Sequence, residues 1–229
     1  MRALGRPRLH LRETDSTNER ARELAERGAP HGALVTAATQ TAGRGRQGRR
    51  WEAPPGTALL CSLVVRRHDE LLSLRAGLAV ADVAGGDALV KWPNDVLLGG
   101  RKVAGVLVEG RPHEGWAVVG IGVNVAVDVA ALGPGVSERA GTLGRPRSAV
   151  EPALAELLGA LERWLEAPVG EVLDALRARD ALLGRAVRWS AGSGVGDGID
   201  AEGGLRVRLE GGEVVVLAAG EVHLGEPPR

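Results

Sequence analysis

The sequence predicts a mixed α/β (α+β) fold followed by a small β-rich domain. Three observations lead there. Between residues 88 and 125, apolar runs follow one another with only short turns between them, which favours an antiparallel or mixed sheet over a βαβ repeat. Two stretches with apolar residues at helical spacing, near residues 70–84 and 148–166, flank that block. From Arg185 onward, brief β-rich runs are broken by glycine pairs, a texture suited to a small barrel. The division is placed at residue 182, giving units 1–182 and 183–229.

The elements follow in order. STNERARELAERG (16–28) reads as a helix, with Ser16 and Glu19 as a capping box and Gly28 as a left-handed stop. ALVTAA (33–38) and TALLCSLVV (57–65) are strand-like and flank an arginine-rich loop. A helix near Glu70–Ala84 ends at Gly85-Gly86. ALVKW (88–92), DVLL (95–98), KVAGVLVE (102–109) and WAVVGIGVNV (116–125) are strands, and Gly99-Gly100 suits a tight hairpin. Leu154, Leu157, Leu158, Leu161, Trp164 and Leu165 define a helix over 148–166, with Ser148 and Glu151 as a second capping box. A shorter helix is expected over about Val169–Leu183, stopped by Gly184.

Composition narrows the function. The chain has 229 residues, 44% hydrophobic and 25% charged, in the ordinary range for a folded globular protein. Lys+Arg and Asp+Glu are both 29, so no overall basic charge points to nucleic acid. There is no Phe or Tyr, so Leu, Val, Ala and the five Trp must build the core. The single Cys61 excludes an intrachain disulfide, and its apolar run makes it a buried, inert thiol. No run of about 18 apolar residues suggests a membrane helix, and the N-terminus lacks an apolar signal region. A cytoplasmic location is expected.

TAGRGRQGRRW (41–51) gathers three glycines and four arginines, with no acid before Glu52. Glycine lets backbone N–H groups approach an anion, and a guanidinium grips carboxylate or phosphate with two bonds. The spacing is neither a P-loop nor a dinucleotide fingerprint. Alone, the loop fits a small anionic ligand, a nucleic-acid arm or a solvated turn. KWPND (91–95) adds a lysine at a strand end beside a turn stiffened by Pro93. Lys91 is then a fixed point charge or a snorkelling surface lysine.

Taken together, TDSTNERA, QTAGRGRQGRRW, KWPNDVLLGGRKVAGVLVEG and GIGVNV resemble, in order and spacing, the biotin protein ligase (biotin–acetyl-CoA-carboxylase ligase) family, and the glycine-broken tail resembles its C-terminal barrel. The resemblance covers nearly the whole chain. It implies a catalytic domain of the class II aminoacyl-tRNA synthetase type followed by an SH3-like barrel. It also implies two-step chemistry: biotin and ATP give biotinyl-5′-AMP and pyrophosphate, then a carrier lysine takes the biotin and AMP leaves. The matching blocks begin near residue 1, so the helix-turn-helix repressor module of some members is not expected.

The roles that follow are implied by the resemblance. Lys91 and Arg46 are catalytic, neutralising the carboxylate and the α-phosphate. Ser16, Thr17, Asn18 and Gln40 shape the polar end of the biotin site, and Arg44, Gly45, Arg46 and Lys91 close over its carboxylate. Arg49, Lys102 and Asn124 lie on the nucleotide side. Mg²⁺ accompanies ATP, and no metal-ligating residue is assigned. Gly120 and Gly122 let ligand lie against a strand or relieve packing, and Trp51 covers the loop or joins the core. Four like charges predict an arginine loop that is mobile until anions order it. The implied partner is a biotin carboxyl carrier domain of acetyl-CoA carboxylase or another biotin-dependent carboxylase, with no nucleic acid and no membrane. Pairing through the sheet edge allows a homodimer.

Overall fold

A computed structural model describes residues 4–66, 69–111 and 114–225. The extreme ends of the two sequence-defined units, 1–3 and 226–229, lie outside the described residues.

The larger sheet has seven strands: β1 (Arg8–Leu11), β2 (Leu34–Ala37), β3 (Ala58–Val65), β4 (Leu89–Lys91), β5 (Asp95–Leu98), β6 (Arg101–Arg111) and β7 (Trp116–Asn124). Their order is β1-β2-β3-β7-β6-β5-β4. Only β1 and β2 pair in parallel; every other neighbour is antiparallel. The sheet is therefore mixed, as the crowded strands predict. Gly99 and Gly100, with φ of 57° and 75°, make the β5–β6 hairpin, a backbone that side-chain-bearing residues resist.

Both faces of the sheet are covered. Helix α1 (Thr17–Glu26) lays Ala21 and Ala25 against Val35, Val64 and Val118 on one face. Helices α2 (Leu72–Ala84) and α3 (Val150–Glu166) pack on the other, where Leu63, Leu78, Leu154, Leu157 and Leu161 are almost wholly buried. Without Phe or Tyr, these leucines carry much of the apolar burial, each contributing roughly 1.5–3 kcal/mol before entropy. Cys61 sits in the same core, and burial pushes its thiol up to about 12, so it is inert at neutral pH. The buried Arg75 guanidinium pairs with Asp69 and donates to the carbonyls of Trp164 and Ala167, which closes the end of α3.

Helix α4 (Val169–Ala178) leads to the second sheet, built from β8 (Ala186–Trp189), β9 (Gly192–Ile199), β10 (Leu205–Arg208), β11 (Val214–Leu217) and β12 (His223–Leu224). It is antiparallel throughout, in the order β11-β10-β9-β8-β12. Val187, Ile199, Leu205, Val207 and Val222 join the main apolar core, so the two sheets share packing. No helix among the described residues is long and apolar enough to cross a membrane.

Neither expected capping box forms. Ser16 occupies the cap of α1 in extended backbone but makes no side-chain cap bond, and Glu19 turns to Arg22 and Arg44 instead. Helix α3 starts at Val150 with Ala149 as its cap; Ser148 lies in the preceding 3₁₀ turn, and Glu151 pairs with Arg8. In both places a long-range cation outcompetes the local backbone amide. Helix α4 ends at Ala178, short of the expected Leu183, because Arg179 and Ala181 turn away to bond Val90 on the sheet edge. Gly184, expected as the stop, lies beyond in the left-handed region at φ 71°.

Candidate functional site

The site stands on glycines. Register places Leu60, Gly122 and Gly105 in one row across β3, β7 and β6, and Ser62, Gly120 and Leu107 in the next. Side chains are missing where neighbours must come close. A β-carbon on Gly120 would overlap the Asn18 amide, and one on Gly122 or Gly105 would press into the Trp51 ring.

Over this floor opens a cleft with a volume of about 110 Å³. One end is polar and uncharged. The Thr17 hydroxyl donates to Gln40 Oε1 at 3.0 Å, and the Thr17 backbone N–H does so at 2.7 Å. The buried Ser62 hydroxyl lies 2.6 Å from Asn18 Oδ1 and 2.8 Å from Thr17 Oγ1. Asn18 Nδ2 donates to Glu109 at 2.7 Å. Ser16 completes this end, and Leu60, Val106, Leu107 and Ile121 supply apolar wall.

The other end is cationic. A 3₁₀ turn at Arg46–Gly48 shapes the arginine loop, with Gln47 left-handed at φ 55°. Gly43 and Trp51 close the loop by a backbone bond of 3.0 Å, and Gly45 N–H donates to Arg49 at 2.7 Å. Arg46 donates to the Gly220 carbonyl at 2.9 Å and faces Asn94 Oδ1 at 3.5 Å. Among the described residues it has no carboxylate partner, so its charge is uncompensated. Arg49 pairs with Glu221, and Arg50 donates to Thr41 O at 2.7 Å. Arg44 lies between Glu19 and Glu109, at 3.1 and 3.0 Å. Each arginine has its own acceptor: carboxylates for Arg44, Arg49 and Arg50, a backbone carbonyl for Arg46.

Lys102 reaches into the cleft above Gly105, with Nζ 2.6 Å from Asp95 and 5.7 Å from the centre of the Trp51 ring. The Trp51 indole N–H is buried with no hydrogen-bond partner among the described residues.

A model of the biotin/lipoate A/B protein ligase family matches residues 11–126. The chain is 39% identical to a biotin–[acetyl-CoA-carboxylase] ligase of Paracoccus denitrificans, over 94% of this chain and 99% of that one. The chain belongs to the biotin/lipoate A/B protein ligase family. It is also 34% identical to the biotin–[acetyl-CoA-carboxylase] ligase of Mycobacterium tuberculosis, covering 93% of this chain and 87% of the relative. Its fold superposes on a biotin protein ligase from Aquifex aeolicus, solved in complex with biotin and ATP, with a TM-score of 0.80 and 28% identity over 96% of this chain and all of that one. These relatives place the chain on the biotin protein ligase branch of the family.

Of the residues singled out from sequence, the cleft brings together Ser16, Thr17, Asn18, Gln40, Arg44, Gly45, Arg46, Arg49 and Lys102. Two stand outside it. Lys91, expected to be catalytic, turns its ammonium to the Val222 carbonyl at 2.6 Å and does not line the cleft. Burial pushes that ammonium below its ordinary value; Asp95 at 3.9 Å opposes the shift and the Lys102 charge adds to it. Asn124, expected beside the nucleotide, is buried and donates to the Gly141 carbonyl at 2.9 Å. Lys91 lies at the end of an edge strand, and the following turn carries it toward the second sheet.

Several lining or supporting residues are not reachable by motif. Ser62 sits within an all-apolar run; only strand alternation from Leu60 marks its face. Glu109 ends the β6 apolar run on the face of Gly105 and Leu107, and that two-residue period is its signal. Asp95 and Asn94 read as turn formers, yet Asp95 holds both lysines, and Asn94 both lines the cleft and donates to Val106 O at 2.8 Å.

Proposed function

We propose that the chain is a biotin protein ligase that joins biotin to one lysine of a biotin carboxyl carrier domain, driven by ATP. One observation carries this reading: a single cleft has a neutral, hydrogen-bonding end and a cationic end. Biotin has that polarity, with an uncharged ureido ring at one end and a carboxylate at the other. The ureido group lies against Thr17, Gln40 and Ser16, in a partly apolar slot that leaves few placed polar groups to fix it.

The first step must bring two anions together. A carboxylate oxygen of biotin attacks the α-phosphorus of ATP, the bond to the bridging oxygen breaks, and pyrophosphate leaves. Arg46 and Lys102 supply fixed positive charge where the transferring phosphoryl group gathers electrons. Lys102 takes the role the motif suggested for Lys91, because its side chain lines the cleft while the Lys91 ammonium donates to the Val222 carbonyl. Lys91 and Asp95 act from behind, with two ammonium groups sharing one carboxylate and leaving net positive charge. Arg49 serves the nucleotide phosphates, and Asn124 supports the wall through Gly141. Mg²⁺ enters with ATP as its counterion. In the second step the neutral amine of the carrier lysine attacks the acyl carbon, the anhydride bond breaks, and AMP leaves.

Residues 1–182 form the catalytic unit in this reading and 183–229 the small barrel. The chain works in the cytoplasm and without nucleic acid. A homodimer through the sheet edge would use β1, since the outer edge of β4 already bonds Arg179 and Ala181. Biotin-dependent pyrophosphate release from ATP tests the activity, with lipoate as the competing substrate. Release with lipoate and none with biotin would overturn it.

A further inference from the structure

The four arginines of the loop do not share one task. Arg46 faces neutral acceptors, whereas Arg44 is held by two carboxylates, Glu19 at 3.1 Å and Glu109 at 3.0 Å. Glu19 also pairs with Arg22, so two arginines and two glutamates form a cluster of zero net charge. Arg44 therefore has little positive charge left for a substrate anion. Glu109 has a second task. Its other oxygen accepts from Asn18 Nδ2 at 2.7 Å, and Asn18 Oδ1 accepts from the buried Ser62 hydroxyl at 2.6 Å. Asn18 is also wedged against Gly120, where no β-carbon would fit.

We propose that Glu109 is a positioning residue for biotin, acting through Asn18 at the ureido end and through Arg44 at the loop. One carboxylate spans the two halves of the cleft, one oxygen for each. It fixes the Asn18 amide that accepts from Ser62, whose hydroxyl also meets Thr17, and it pins the base of the loop that covers the carboxylate end. Arg44 becomes a strut, and the neutralising charges at the reacting centre are Arg46 and Lys102. This inference rests on the biotin ligase reading above.

The test compares Glu109→Gln, Glu109→Ala, Arg44→Ala and the double variant Glu109→Ala/Arg44→Ala in biotin-dependent ATP–pyrophosphate exchange. Glu109→Ala should raise KM for biotin about tenfold, with KM for ATP within about twofold. Glu109→Gln, which keeps an acceptor for Asn18 and loses the ion pair, should fall between it and the parent. The double variant should be no worse than the worse single one, because one strut is being broken twice. Hydrogen exchange of residues 43–46 in the ligand-free protein should rise in Glu109→Ala by more than exchange in the core strands does, a readout that needs no activity. An unchanged KM for biotin, or an Arg44→Ala loss that multiplies with Glu109→Ala and falls on ATP, would overturn the proposal. A parent protein with no biotin-dependent exchange would overturn the ligase reading instead, and loop exchange would still judge the strut.

Discussion

Adding a single methyl group at Gly120 tests the geometry of the polar end. Gly120→Ala places a β-carbon into the Asn18 side chain, overlapping Oδ1 and lying 2.7 Å from Cγ and 2.9 Å from Nδ2. A real β-carbon does not approach that closely, so Asn18 must move. It is held on every side: Ser62 donates to it at 2.6 Å, it donates to Glu109 at 2.7 Å, and it reaches the Leu107 carbonyl at 3.4 Å. It is also 5% exposed, so water cannot replace those partners. Losing two such bonds in a buried place costs roughly 2–4 kcal/mol. Part of that appears as lowered stability. The part that distorts Thr17 and Gln40 appears as weakened biotin binding, about tenfold for each 1.4 kcal/mol.

Two measurements separate the parts. Calorimetric titration gives Kd for biotin, and thermal unfolding gives Tm. Gly120→Ala should weaken biotin binding at least about tenfold and lower Tm by several degrees. Asn18→Ala in the same chain removes the obstruction and should recover much of the lost Tm, while biotin binding stays weak. A Gly120→Ala protein with parental Tm and biotin Kd would refute the packing of Asn18 on that glycine.

Three further outcomes follow. Lys102→Ala should reduce biotin-dependent pyrophosphate exchange by about 10²–10³-fold, whereas Lys91→Ala should cost about tenfold, and the reverse ranking would restore Lys91 as the ammonium at the reacting centre. Glu221→Ala should raise KM for ATP about three- to tenfold through Arg49, and adding Arg49→Ala should bring little more, as steady-state kinetics over ATP concentration will show. His31 accepts the Arg66 N–H at 3.2 Å, and burial holds its imidazolium below the ordinary pKa of 6.5, against a small opposing pull from Glu166. The folded state thus binds fewer protons than the unfolded one just below that value, so its contribution is full above pH 6.5 and is lost as pH falls toward the folded pKa; urea unfolding at pH 7.5 and 5.5 should show a smaller acid loss in His31→Asn.

The regular elements were legible because each carries a local cause. Strand alternation, helical spacing of leucines and the left-handed glycines Gly28, Gly85, Gly99 and Gly100 act over a few residues, and the chain obeys them. The failures share a different cause. Glu19 and Glu151 were read as capping partners by their distance along the chain, yet Arg44 and Arg8 reach them from other elements. An exposed long-range ion pair is worth little by itself, but it is enough to turn a side chain away from an equally modest cap. The site divides the same way. Thr17, Gln40 and the loop arginines lie in motifs that share one cleft. The sequence ranks Lys91 above Lys102 by resemblance, and what separates the two in the fold is the Val222 carbonyl far along the chain. Glu109 and Ser62 are visible only once register sets β3, β7 and β6 side by side.

That long-range contact also bears on how a chain of zero net charge builds a cationic cleft. Three consecutive residues, Gly220, Glu221 and Val222, receive Arg46, Arg49 and Lys91. Two of these acceptors are backbone carbonyls, which hold a cation in place without cancelling its charge. The third is a carboxylate, and it falls on the arginine that is more than half exposed, where water already screens the charge. At the opposite rim the carboxylates of Glu19 and Glu109 neutralise Arg44, which the reaction does not need as a charge. Positive potential is therefore shaped by the choice of acceptor: Arg46 meets a carbonyl dipole, Lys91 and Lys102 share the single Asp95 carboxylate, and Arg44 is neutralised at the rim. The second sheet takes part in this distribution, because its last turn before β12 supplies the carbonyls that hold Arg46 and Lys91 in place.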